Sequence, residues 1–345
     1  MTQAIRCFAG ANTPDGFFSC FSSIFTRRAR VFYLKGGPGM GKSSLMKRIA
    51  ERQRALGHEV SLFYCSSDPD SLDGVADETA RCAVLDATAP HVCDPLLPGA
   101  RDTLISLGDC LNEPALRREN AAIERLQAEI ADEFRAACHY LAAAARVRDA
   151  LLIRPNPVRA HDAANELAKR LSAASGNSSF GAEKRFFLSA HTLKGEVRFF
   201  SQFSPEITVR IQTPFGGNAD DVLKPLERRA REIGASVLAF CDPLAPARAA
   251  HLYFPELPLF VTADDTPARE TVSSLFPEGR SPDPLYAEAL AQAYRRLSRA
   301  KELHDRLETI YTPQMDFSRL AQAEARIVSG FDEAMEGNPP FPAEG

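Results

Sequence analysis

The residues best suited to chemistry lie between Gly36 and Ser43. They read GGPGMGKS and fit the pattern G-x-x-x-x-G-K-[ST] without a mismatch. Glycines let the backbone curl so that consecutive N–H groups point at phosphate oxygens. In this pattern Lys42 is expected to reach the β- and γ-phosphates, and the Ser43 hydroxyl to ligate Mg²⁺. We therefore predict a site for a nucleoside triphosphate with Mg²⁺.

The flanking residues predict the elements that hold this glycine-rich loop (residues 36–43). Residues 31–34 are aromatic and β-branched, which predicts a strand. Leu45, Met46 and Ile49 recur at helical spacing, and Gly57 stands where a helix would end. The positive end of that helix dipole would add to the attraction for phosphate. The predicted nucleotide-binding residues are Gly36, Gly37, Pro38, Gly39, Met40, Gly41, Lys42, Ser43 and Ser44.

A carboxylate near Mg²⁺ is the second requirement of such a site. Residues 82–85 form a short apolar run that ends in Asp86, which places an acid at the end of a predicted strand. Asp68, Asp70 and Asp73 follow another predicted strand, on the side of a sheet where ligands bind. We prefer Asp86 as the acid that joins Ser43 on the metal. Asp68 and Asp70 are the alternative catalytic acids beside Lys42, and Asp73 is expected to cap a turn.

Two polar residues just past Asp86 are further candidates. Thr88 and His91 stand where a side chain could sense the γ-phosphate or position water. For His91 the plainer interpretation is a hydrogen-bonding residue of the structure.

Three stretches resemble known nucleotide-binding proteins. LKGGPGMGKSSLMKRIAE looks like the loop of the P-loop NTPases, where the form GGPGxGKS is frequent among ATPases and small-molecule kinases. With YCSSDPDSLDGV and LDATAPHVCDP, it resembles a little-characterised family of bacterial ATPase-like proteins built from tandem P-loop units. The resemblance implies an α/β fold of tandem P-loop NTPase-like domains with ATP as the ligand. It implies no particular reaction.

The chain contains an internal repeat. Residues 6–22 and 185–201 are identical at seven of 17 positions without a gap, at an offset of 179. Each copy predicts a β-hairpin closed by a turn that contains glycine. The identical pairs are Arg6/Arg185, Phe8/Phe187, Ala11/Ala190, Thr13/Thr192, Gly16/Gly195, Phe21/Phe200 and Ser22/Ser201.

The second copy lacks the phosphate chemistry. At an offset of 177, residues 36–60 lie over residues 213–237, so Ala219 stands at the position of Lys42. Asp220 and its neighbour would bring negative charge to a polyphosphate. The apolar residues of this copy still suit strands and a helix against a core. We expect a folded domain that binds no nucleotide and packs on, or gates, the first site.

The repeat predicts how the chain divides. Ala, Leu, Glu and Arg with apolar residues at spacings of 3–4 follow each core, which predicts a helical arm for each α/β domain. Pro and Glu enrichment predicts a frayed tail. The predicted segments are 1–112 (P-loop core), 113–178 (arm), 179–281 (degenerate core), 282–335 (arm) and 336–345 (tail).

Composition argues against several classes of protein. The net charge of −4 argues against a dedicated nucleic-acid binder, and no apolar run approaches the 18 residues of a membrane span. The N-terminus has no apolar core of signal-peptide length. The eight cysteines are scattered without C-x-x-C pairs, so we expect buried small residues in a reducing cytoplasm rather than metal ligands.

These observations predict a cytoplasmic Mg²⁺-dependent ATPase with one working site, its two repeats packed together. A small-molecule kinase with Asp68 or Asp70 as base is the alternative enzyme. A regulatory protein that binds nucleotide with negligible turnover is the third interpretation. The sequence leaves the oligomeric state open.

Overall fold

The computed structural model describes residues 4–25, 28–174, 183–277, 279 and 281–336. Both halves of the chain are mixed α/β, which confirms the predicted class. The elements of the first half are β1 (Arg6–Phe8), β2 (Gly10–Thr13), β3 (Gly16–Ser19), α1 (Ser22–Phe25), β4 (Arg30–Lys35), α2 (Lys42–Ala55), β5 (Val60–Tyr64), β6 (Leu72–Asp77), β7 (Cys82–Asp86), β8 (Asp102–Ser106), α3 (Glu113–Arg118), α4 (Asn120–Ala150) and α5 (Pro157–Ala174).

The second half repeats this series. Its elements are β9 (Glu183–Phe186), β10 (Ser189–Thr192), β11 (Gly195–Arg198), β12 (Thr208–Ile211), α6 (Asp220–Glu232), β13 (Val237–Asp242), β14 (Ala245–Phe254), β15 (Leu259–Thr262), β16 (Glu270–Val272), α7 (Pro284–Tyr311) and α8 (Phe317–Glu336). Short 3₁₀ turns are Gly108–Cys110, Phe200–Gln202, Pro205–Ile207 and Thr312–Gln314.

The two halves have sheets of identical topology. Six strands run in the order β1-β5-β6-β7-β4-β8 in the first sheet and β9-β13-β14-β15-β12-β16 in the second. In both, the third strand of this order is antiparallel to its neighbours and the other adjacent pairs are parallel. The predicted hairpins are present as β2–β3 and β10–β11. The residues just before each hairpin were predicted as part of it. They form β1 and β9 instead, which are edge strands of the large sheets.

The halves meet around a local two-fold axis. Phe8 N donates to Phe187 O and Phe187 N donates to Phe8 O, each at 2.9 Å. These are equivalent residues of the repeat, and such mutual contact of one residue with its equivalent is the mark of a two-fold interface. Buried phenylalanines from both halves, including Phe63 and Phe186, pack into one shared core there. The two sheets therefore form one body.

Two long helices join the cores. Helices α4 and α7 pack antiparallel, with Ile123 against Leu307 at one end and Ala144 against Ala289 at the other. The 31 residues of α4 span about 46 Å, and Leu151, just past its end, lies against Gly216 of the second half. Each helix therefore starts beside one sheet and ends beside the other.

The final helix of each half packs on the opposite core. Helix α8 lies on the first sheet, where Phe331 stacks on Phe32 at 5.9 Å. Helix α5 lies on α6 beside the second sheet, through Leu167 and Leu171. The sequence predicted a helical arm after each core but not the core on which the arm packs. The long helices carry the chain across before it turns back, so each final helix reaches the other core.

Residues 337–345 of the predicted tail lie outside the described residues, as does the predicted boundary near 178. Within the described residues, no helix has the length and apolar character needed to cross a bilayer.

Candidate functional site

The glycine-rich loop connects β4 to α2. Gly39 has φ 68° and Gly41 has φ 78°, in the left-handed region that residues with a side chain rarely adopt. Gly41 is also the N-cap of α2, so the loop leads directly into the first turn of that helix. Glycine at these two positions is therefore required by backbone geometry.

Lys42 folds back over this loop. Its Nζ donates to the carbonyl oxygens of Gly36 and Gly37 at 2.6 and 2.7 Å. The same Nζ lies 3.5 Å from Asp86 Oδ2, and both side chains are mostly shielded from solvent. The structure thus brings together the predicted cation and the preferred acid.

Thr88 fastens the loop to the end of β7. Asp86 pairs with Leu34 across β7 and β4, and its Oδ1 accepts from Thr88 N at 2.8 Å. Thr88 Oγ1 accepts from Gly36 N at 3.1 Å and contacts Gly36 O at 3.0 Å. We assign Thr88 a positioning role in the loop.

Ser43 ties the start of α2 to β6, because its Oγ accepts from Leu72 N at 3.0 Å. The next residue, Ser44, is exposed. Ser43 therefore stays at the helix N-terminus, on the same sheet edge as Asp86.

The alternative acids have other partners. Asp68 accepts from Ser71 Oγ at 3.1 Å and lies 3.7 Å from Lys301 Nζ. Asp70 lies 2.5 Å from Lys194 Nζ, and this lysine lowers the pKa of the Asp70 carboxyl. Both aspartates thus face lysines from the second half of the chain.

Helices from the second half cover the outside of the loop. A Cβ placed on Gly39 would lie 2.6 Å from Thr312 Oγ1 and 3.2 Å from Glu308 Cα. Thr312 Oγ1 also donates to Gly39 O at 3.2 Å. A Cβ on Gly41 would lie 2.9 Å from Leu320. These contacts join residues about 270 positions apart, and no local motif marks them.

Asp73 is a buried strand residue, so its interpretation as a turn cap was wrong. It lies in β6, and burial raises its pKa to about 6 despite the opposing effect of His91. Asp86 raises the same pKa and Lys42 lowers it, so Asp73 is electrostatically part of the loop region.

The equivalent loop of the second half lies against the segment that follows α4 and lines a cavity. Leu151 O lies 2.3 Å from a Cβ built on Gly216, and Ile153 N donates to Gly216 O at 2.9 Å. Arg148 of α4 and Asp242 form an ion pair at 2.8 Å along this loop.

The acid at the strand end is lost together with the lysine. Phe32 pairs with Val84 in the first sheet, and the equivalent residue Val209 pairs with Val261 in the second. Counting two residues past these partners gives Asp86 in the first sheet and Ala263 in the second. Alanines therefore replace both members of the Lys42–Asp86 pair.

Comparisons with known proteins give one match. A family model described as Nephrocystin 3, N-terminal, matches residues 19–88, about a fifth of the chain. The matched segment contains the glycine-rich loop, Asp86 and Thr88. The comparisons with curated proteins and with solved structures gave no match.

Proposed function

We propose that the chain is a P-loop ATPase that binds Mg-ATP at the glycine-rich loop. The Lys42–Asp86 pair above the loop carries this proposal. Lys42 bonds to two neutral carbonyls, and an incoming phosphate would offer it a stronger charge-assisted bond. The loop N–H groups and the start of α2 would take the remaining phosphate charge.

Ser43 and Asp86 are the proposed Mg²⁺ ligands. Carboxylate and hydroxyl oxygens suit this hard cation, and both residues lie at the carboxyl edge of the first sheet. Asp86 is favoured because it lies beside Lys42 of the glycine-rich loop, whereas Asp68 and Asp70 face Lys301 and Lys194 from the second half.

The second half would serve as a structural or regulatory partner. It has alanine at the positions of Lys42 and Asp86, and the Arg148–Asp242 ion pair lies beside its equivalent loop. The end of α7 packs on the glycine-rich loop, so a movement of the second half would be transmitted to the nucleotide site. The same contact would allow the alternative role of a nucleotide sensor.

Nucleotide binding and phosphate release from purified full-length protein test the proposal. We expect one ATP per chain and Mg²⁺-dependent phosphate release without an acceptor. Tight binding without release would indicate a sensor, and consumption that needs an added metabolite would indicate a kinase. Absence of ATP binding would refute the site, and two ATP per chain would refute the inactive second half.

A further inference from the structure

Three side chains of different chemistry converge beside the glycine-rich loop. Cys65 follows β5, Asp73 lies in β6, and His91 follows β7. Strands β5 and β7 run in the same direction and β6 runs between them in reverse. The end of β5, the start of β6 and the end of β7 therefore meet at one sheet edge. One ligand atom from each residue lies within 4.8 Å of the other two.

Two of these side chains are deeply buried and incompletely paired. Asp73 is 4% exposed and His91 is 6% exposed. Among the described residues, Asp73 Oδ2 and His91 Nδ1 have no hydrogen-bond partner. The Asp73 and His91 side chains face each other at 3.4 Å, from Oδ2 to Nε2. Buried polar atoms are nearly always paired, so these two indicate a ligand.

Aromatic rings close the other side of the cluster. The His91 ring lies 4.9 Å from the ring of Phe17 and 5.1 Å from that of Phe21. Both phenylalanines come from the hairpin region of the first half. Such walls limit solvent access and hold the imidazole in place.

We propose that Cys65, Asp73 and His91 bind a zinc ion. Thiolate, imidazole and carboxylate are the ligands that zinc takes, whereas Mg²⁺ prefers oxygen alone. Tetrahedral zinc holds its ligand atoms about 3.3–3.8 Å apart, so closing the site needs shifts of about 1 Å. One thiolate and one carboxylate balance the charge of Zn²⁺, which suits a buried position. Three protein ligands leave the fourth position to water.

This zinc site is distinct from the proposed Mg²⁺ site and is adjacent to it. Asp73 follows Leu72, whose N–H bonds to Ser43. The two sites thus share a sheet edge but no ligand. Zinc binding does not depend on nucleotide, so either proposal can fail alone.

Metal titration of full-length protein stripped with a chelator tests the zinc site. We expect one tightly bound Zn²⁺ per chain in excess Mg²⁺ and without nucleotide. Substitution of a metal ligand should weaken affinity about 100-fold or more, since even outer-shell changes cost 10–100-fold. The variants are Cys65→Ser and Asp73→Asn. Cys138→Ser, another half-buried cysteine, is the matched control and should bind zinc normally.

Co²⁺ substitution supplies a readout that folding defects do not imitate. The stripped wild type and Cys138→Ser should show a thiolate-to-Co²⁺ charge-transfer band, and Cys65→Ser should lack it. Zn²⁺ should raise the unfolding temperature of the wild type and of Lys42→Ala, but not that of Cys65→Ser. Substoichiometric zinc in the wild type, no thiolate band, or undiminished zinc binding by Cys65→Ser would overturn the proposal.

Discussion

Lys42 makes two bonds to loop carbonyls that a phosphate would replace. Removing its amine should therefore weaken ATP binding. A charge-assisted bond contributes about 1.5–3 kcal/mol, so Lys42→Ala should lose roughly tenfold to a hundredfold in affinity, or more. Calorimetric titration measures this directly, with Lys47→Ala on the same helix as control. Unchanged ATP affinity in Lys42→Ala would exclude the loop as the site.

Asp86 should matter for the metal more than for the nucleotide. Asp86→Asn should retain ATP but lose Mg²⁺-dependent turnover, because an amide oxygen is a poorer ligand for a hard cation. Phosphate release as a function of Mg²⁺ concentration measures the effect, with Asp68→Asn and Asp70→Asn in parallel. A larger loss in either of those two would transfer the metal role to that acid.

His251 makes the protein sensitive to acid. It is fully buried, bonds to Thr262 Oγ1 at 2.8 Å, and burial lowers its pKa from 6.5 to about 3. Between pH 6.5 and 3, His251 therefore binds a proton in the unfolded state but not in the folded state. The contribution of neutral His251 to stability should be complete above pH 6.5. As the pH falls from 6.5 toward 3, the free energy of unfolding should decrease by up to about 1.4 kcal/mol per pH unit.

Urea unfolding at several pH values tests this expectation. Stability of His251→Asn should fall less between pH 6.5 and 4.5 than that of the wild type. His161→Asn, at an exposed position on α5, should keep the wild-type slope. Parallel curves for the wild type and His251→Asn would show that His251 is not the titrating group.

The glycine-rich loop could be located from the sequence, because its residue spacing is set by a local requirement, the tight curl of the backbone around a phosphate. It did not reveal Thr88 as the fastening residue, nor Glu308 and Thr312 on the outside of the loop. Cys65, Asp73 and His91 were also missed as a group, because they come from three strand ends. Their proximity depends on strand order, which no local spacing encodes.

At the scale of elements, one glycine sets the approach of α8 to the first sheet. A Cβ on Gly330 would lie 2.4 Å from the Phe32 ring. Gly330→Ala should destabilise the protein by about 1–3 kcal/mol, since the clash outweighs the roughly 1 kcal/mol gained in helix propensity. Urea unfolding measures this, with Ser329→Ala on the exposed face as control. A stabilised Gly330→Ala variant would mean that α8 packs differently.

Strands and helices were predicted well where periodicity was strong. The strand predicted before Asp68 is present as β5, and α2 ends close to Gly57. The edge strands β1 and β9 were missed, because three or four residues beside a hairpin carry little signal. The exchange of α5 and α8 was missed because amphipathic patterns show which face is buried, but not against which partner.

At the scale of the molecule, neither half has all of its own core. Residues 1–178 lack α8, and residues 179–345 lack α5. Expressed separately, each half should therefore be unfolded or aggregated, and the two expressed together should purify as one complex. Circular dichroism and size-exclusion chromatography measure this against the intact chain. A half that is monomeric and unfolds cooperatively on its own would contradict the exchanged packing.

A chain with only one of these units would have no core of its own on which its last helix could pack. Such a chain could bury its last helix by pairing with a second copy, in a homodimer whose two-fold axis passes between the two residues equivalent to Phe8. Joining two such copies end to end makes their association intramolecular. Selection can then act on the two sites separately. In this chain one site has Lys42 and Asp86, and the other has alanine at both equivalent positions.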